Sequence, residues 1–150
     1  MENLERNGGC HVMAGNKRIL IADIDDVQNV ELTDFNTKSV TMKPGRAFAE
    51  IKAKSIRTEV TEDGGAYIHE TVCLLAGAKR KYDRLLADMA RGGWLLKIVD
   101  NTDTVWLSGS LEEPLHFSFR HTGQAEASGQ HLYELAFRRE MTEPLCATSL

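Results

Sequence analysis

Two stretches late in the chain alternate apolar and polar side chains. Leu115, Phe117 and Phe119 interleave with His116, Ser118 and Arg120, and Tyr133, Leu135 and Phe137 interleave with Leu132, Glu134, Ala136 and Arg138. A period of two puts one set on a buried face and the other outside, so both stretches predict half-buried strands. The small, polar run 122–130 between them predicts an exposed, mobile hairpin tip. Near the other end, Arg18 to Ile24 is rich in apolar and β-branched residues over a length that suits a strand, and a second short strand is expected over Val27 to Leu32. Phe48 to Thr61 alternates in two registers, Ile51 and Ala53 against Ile56, Thr58 and Val60, which a β-bulge near Lys54-Ser55 would reconcile. Asp63-Gly64-Gly65 tolerates positive φ and Tyr67 to Leu75 follows as a strand, so residues 48–75 predict a long hairpin. A second hairpin is expected from Trp94 to Val99 and Thr104 to Leu107 around the polar turn Asp100-Asn101-Thr102-Asp103.

One segment has helical period. Ala78, Tyr82, Leu85, Leu86 and Met89 form a single apolar stripe, predicting a helix over 78–91 that Gly92-Gly93 would close in the left-handed conformation. Its outer face carries Lys79, Arg80, Lys81, Arg84 and Arg91 against Asp83 and Asp88. Thr33 to Arg46 shows neither period and contains Lys43-Pro44-Gly45, so it reads as a long loop with a short strand around Ser39 to Met42. Residues 1–16 read as a mobile arm ahead of a single β-rich domain over 17–150. The expected fold is mainly β (α+β): an antiparallel β-sandwich or partly closed barrel of about seven or eight strands with one amphipathic helix.

Composition narrows the function classes. A 150-residue chain with 42% hydrophobic and 27% charged residues suits one core. Its 22 acidic residues against 18 Lys and Arg give a formal charge of -4, which makes nucleic acid an unlikely partner. Cys10, Cys73 and Cys146 have no CxxC spacing, so neither a disulfide framework nor a zinc site is expected, and a reducing, cytoplasmic location follows. The polar start lacks the basic-then-apolar pattern of a signal peptide, and no run is long and apolar enough for a membrane span.

Motifs for chemistry are sparse. Asp23, Asp25 and Asp26 lack the glycine and distal glutamate of a calcium loop and read as a solvated strand end. His11, His69, His116, His121 and His131 fit no metal pattern, although His116 and His131 would meet across the last hairpin in one register. Cys73 between Val72 and Leu74 reads as an inert thiol. There is no GxSxG, phosphate loop or GxGxxG, so no catalytic, cofactor-binding or metal-binding residue is assigned, and the chain is read as non-enzymatic.

Thr71-Val72-Cys73-Leu74-Leu75-Ala76-Gly77, the helix with Gly93-Trp94-Leu95-Leu96, Trp106-Leu107-Ser108-Gly109, Glu113-Pro114-Leu115 and Tyr133-Glu134-Leu135-Ala136-Phe137 resemble a group of small prophage-encoded structural proteins over roughly the last 90 residues. The pattern of elements is also similar to phage tail-tube proteins, in which a β-sandwich with one flanking helix assembles into rings. The resemblance implies a structural protein of a phage tail or neck, cytoplasmic or in the virion, whose partners are identical subunits or other phage structural proteins. Expected interface residues are Asn36, Lys38, Lys43 and Arg46 of the long loop, Lys79, Arg80 and Arg84 of the helix, and Gln124 and Glu126 of the tip. A small-molecule-binding barrel or sandwich with a mouth near Trp94, Trp106 and Phe119 is the alternative.

Overall fold

The strands that alternate most cleanly in sequence lie at the centre of a large sheet in the computed structural model of the protein, which describes residues 10–13, 16–34, 37–76, 80–122 and 132–150. The elements are β1 (Cys10–Met13), β2 (Arg18–Asp23), β3 (Val27–Asp34), β4 (Thr37–Met42), β5 (Ala49–Ile51), β6 (Ser55–Asp63), β7 (Ala66–Ala76), α1 (Arg80–Met89), β8 (Gly93–Val99), β9 (Val105–Ser108), β10 (Leu115–Thr122), β11 (Leu132–Met141) and β12 (Cys146–Thr148). One path runs β1-β6-β7-β11-β10-β8-β9-β12-β4-β3, with β2 on the other edge of β8 and β5 beyond it. The sheet does not close into a barrel. Among the described residues the ladder pairs that join its β1-β6-β7-β11-β10 half to the rest are Leu115↔Trp94 and His116↔Gly93.

Both halves feed one apolar core, which makes the fold sandwich-like. Cys73, Leu115, Phe117, Tyr133, Leu135 and Phe137 come from one half, Ile19, Leu96 and Ile98 from the other, and Leu86 from α1. The Phe117 and Phe137 rings lie 4.9 Å apart, and burying each side chain of this kind contributes about 1.5–3 kcal/mol. A second cluster of Ala22, Val27 and Leu95 packs with Val30, Val40, Met42 and Phe48 beneath the β3–β4 hairpin. Strand β8 faces both clusters, because Leu96 and Ile98 point to the first while Leu95 points to the second.

Several local expectations change. The short strand expected around Ser39 to Met42 is the larger part of β4, which begins at Thr37 and pairs through Val30↔Val40 and Glu31↔Ser39 with β3. With Thr33 and Asp34 in β3, more of the segment read as a loop is strand than expected, because Lys38 shares the parity of Val40 and Met42 and hides the alternation. The two registers over 48–61 are two strands rather than one bulged strand. Ile51 on β5 pairs with Ile19 of β2, whereas Ile56 on β6 pairs with Cys73 of β7. Cys10–Met13, assigned to the N-terminal arm, pair with β6 as β1. Among the described residues the strand count rises to twelve because these short segments satisfy their backbone groups on neighbouring edges.

The turns follow their chemistry. Gly64 and Gly65 both have positive φ, +60° and +88°, as a tight hairpin between right-twisted strands requires. At the end of α1, however, the positive-φ residues do not include Gly92 or Gly93. The helix closes by the Gly92 amide donating to the Met89 carbonyl at 3.2 Å. Gly93 has a packing role instead, since a Cβ there would lie 2.7 Å from Pro114 Cβ. The apolar stripe is also narrower than expected: Leu86 is 4% exposed but Leu85 is 56% exposed, one helical step away from the core.

Gly93→Ala should therefore destabilise the fold by about 1–3 kcal/mol through overpacking, while Gly92→Ala, which meets only ordinary contacts, stays within about 1 kcal/mol of the parent. Denaturant melts check this, and equal midpoints for the two variants would contradict it.

Candidate functional site

Strand β7 carries Tyr67, His69, Thr71 and Cys73 on one parity, and His69, Thr71 and Cys73 are all buried. His69 is 1% exposed and is held from both sides. Its Nε2 lies 2.7 Å from the Glu143 carbonyl and its Nδ1 lies 2.9 Å from Ser108 Oγ. A carbonyl only accepts, so the neutral ring carries its proton on Nε2 and the Ser108 hydroxyl donates to Nδ1. One side chain thus ties β7 to β9 and to the segment after β11.

Glu143 is the hub of that segment. Its carboxylate pairs with Lys38 of β4, whose side chain is 13% exposed, and Thr148 Oγ1 donates to the Lys38 carbonyl at 2.8 Å. Strand β12 lies between β9 and β4, and its ladder to β4 is one parallel bridge, Ala147↔Thr37. Lys97, on the buried strand β8, donates to the Ser149 carbonyl at 2.7 Å and sits 4.5 Å above the Phe48 ring centre. Neither apolar cluster includes a residue from 142–150. The C-terminal strap is therefore fixed by hydrogen bonds and charge, and it in turn holds the β3–β4 hairpin to the sheet.

Ser108 and His69 have the spacing of a nucleophile and its base, but both are at most 1% exposed and the second ring nitrogen is spent on a carbonyl. In this arrangement they serve as a brace. Burial depresses the His69 pKa below the ordinary value; the Glu143 carbonyl and the Glu113 and Glu143 carboxylates oppose that, and Lys38 adds to it. Burial likewise pushes the Cys73 thiol up to about 12, which keeps it protonated and unreactive.

Of the expected interface residues, Lys38, Lys43, Arg46, Arg80 and Arg84 lie among the described residues. Lys38 is engaged inside the fold by Glu143 rather than free on a loop. Lys43 and Arg46 stand together at the base of the β3–β4 hairpin, where the Lys43 amide donates to the Asp26 carbonyl at 2.9 Å and Arg46 Nε lies 3.5 Å from Asp26 Oδ1. Arg80 opens α1, and Arg84 is exposed on it. Asn36, Lys79, Gln124 and Glu126 lie outside the described residues, as does the tip 123–131.

The other candidates resolve into local structure. Asp23 caps a short 3-10 turn by accepting from the Asp25 amide at 2.9 Å, and among the described residues no three metal-type ligands converge. His116 stands opposite Arg138, and His131 lies outside the described residues. Asp100 accepts from Thr102, Thr104 and Trp106; partial burial alone would raise its pKa, and these donors overcome that and hold it at about 2. Trp94 donates to the Met89 carbonyl near one end of β8, while Trp106 lies opposite Ile98 near the other. With Phe119 they pack on the core and do not frame a common mouth. No helix among the described residues is long and apolar enough to cross a membrane.

The surface features absent from the sequence reading are exposed leucines: Leu32, Leu85 and Leu150, the last 62% exposed. Leu32 of β3 is 64% exposed and Leu85 of α1 is 56% exposed. Leu32 overhangs a groove of about 410 Å³ that is also lined by Val30, Lys38, Leu111, Glu112 and Glu143. Comparison with protein-family models, curated proteins and solved structures gives no match.

The brace makes a pH prediction. Above about pH 6.5 His69 is neutral in both the folded and the unfolded chain; below it the unfolded chain binds a proton that the buried ring resists, so stability falls with falling pH. Denaturant melts between about pH 7 and pH 5 should show this slope in the parent and a shallower one in His69→Gln. Equal slopes would contradict the assignment.

Proposed function

We propose that this chain is a non-enzymatic structural protein of a phage or prophage-derived tail or neck, acting by self-association or by docking to other structural proteins of the particle. The observation that carries the self-association is strand β3. It spans 8 residues, and among the described residues its only ladder partner is β4. Its sequence, Val-Gln-Asn-Val-Glu-Leu-Thr-Asp, contains no lysine or proline, the residues that commonly keep an edge from pairing with another chain. Strand β5, by contrast, is 3 residues long and is followed by Lys52 and Lys54, which is a guarded edge.

Support for a phage particle comes from the sequence resemblance centred on β7, β8, β9 and β11. The twisted, open sheet with a flanking helix suits that role, because an open edge lets one copy extend the sheet of the next. Association through β3 would satisfy backbone groups that the isolated chain leaves to solvent.

Size exclusion with light scattering over a concentration series, followed by negative-stain imaging of the largest species, tests the reading. Mass rising with concentration into rings or tubes is the expected result. A strict monomer at every concentration would overturn self-association and leave docking to a different protein.

A further inference from the structure

We propose that the exposed face of α1 docks into the groove lined by Leu32 of a second copy of this chain, a contact separate from pairing at the β3 edge that rests on the same self-association reading. Leu32 and Leu85 lie in surroundings of opposite charge. Near Leu85, α1 presents Arg84 with Asp88, the turn that follows carries Arg91, and none of these three is in an ion pair among the described residues. Arg80 and Lys81 precede them by one turn in the sequence. In the groove, Lys38 is matched by Glu143, so Glu112 is the uncompensated charge among the lining residues. Leu32 and Leu111 supply its apolar surface.

An amphipathic helix whose apolar side chain enters a groove while its charges meet the rim is a standard mode of recognition. The fit here is Leu85 against Leu32 and Leu111, with Arg84 or Arg91 against Glu112. The helix and the groove share no residue. Helix α1 is held by its own chain on another side, where Tyr133 donates to Asp83 at 2.7 Å, His121 Nε2 lies 3.2 Å from Asp83 Oδ1 and Leu86 enters the core. The groove belongs to β3, β4 and the 110–113 turn. One copy can therefore offer its helix to one neighbour and its groove to another. Such a head-to-tail contact builds a ring when the rotation closes and a filament when it does not.

The test is association measured by light scattering for the parent chain, Leu85→Glu, Leu32→Glu, Arg84→Glu, and Arg84→Glu combined with Glu112→Arg, each first matched to the parent in thermal melting. Both leucines are exposed, so these variants keep the fold. Each single variant should weaken association at least about tenfold, and the charge exchange should return it to within about threefold of the parent. Parent-like association in both leucine variants would overturn the contact while leaving self-association through another surface. Failure of the exchange to restore what Arg84→Glu loses would overturn the pairing of helix with groove. A parent that stays monomeric throughout would overturn this contact and the self-association reading together.

Discussion

Strand β8 is the constraint on which the rest of the structure depends. From Leu95 to Val99 every residue is buried. Along one edge it pairs with β2; along the other its first residues pair with β10 and its last with β9. A strand with both edges occupied and both faces covered must be apolar almost throughout, as Trp-Leu-Leu-Lys-Ile-Val is. The exception, Lys97, is accommodated because its ammonium reaches the Ser149 carbonyl and the Phe48 ring. Burial lowers its pKa, the expected direction for a cation drawn out of water.

From β8 the molecule grows in two ways. Towards β10, β11 and β7 it is held by packing: interleaved aromatic and aliphatic side chains whose inward rows are set by registers such as Phe119↔Leu135 and Leu135↔Cys73. Towards β12, β4 and β3 it is held increasingly by polar contacts, with His69, Ser108, Lys38, Glu143 and Thr148 linking segments far apart in sequence. Directional contacts of this kind fix position more than they add stability, because each replaces a hydrogen bond that water would otherwise make. The hairpin with the open edge thus hangs from the less deeply packed end of the sheet.

That difference explains what was legible in the sequence. Strands β10 and β11, the β6–β7 turn at Gly64-Gly65 and the β8–β9 turn at Asp100 were readable because each depends on neighbours within a few residues. Strand β4 was legible only over Ser39 to Met42; its full length was not, since Lys38 stands in its inward row and is neutralised by Glu143, 105 residues away in the chain. The His69–Ser108 brace has the same character; its only local signal is that His69 shares the parity of Cys73 on a strand. The exposure of Leu85 was hidden because a helical wheel cannot tell how wide the facing core is. The inward pairing of Lys38, chosen as a loop residue, and the exposure of Leu32 both emerged only with the fold.

Structure and proposed role meet at β3: a sheet anchored by β8 ends in a long strand whose outer edge has no partner among the described residues. Amide hydrogen exchange followed residue by residue, in dilute and in concentrated protein, tests this most directly. The account predicts the slowest exchange over 95–98 of β8 in both samples, and fast exchange at the outer amides of β3 that slows on concentration. Outer β3 amides that exchange equally at both concentrations would contradict it.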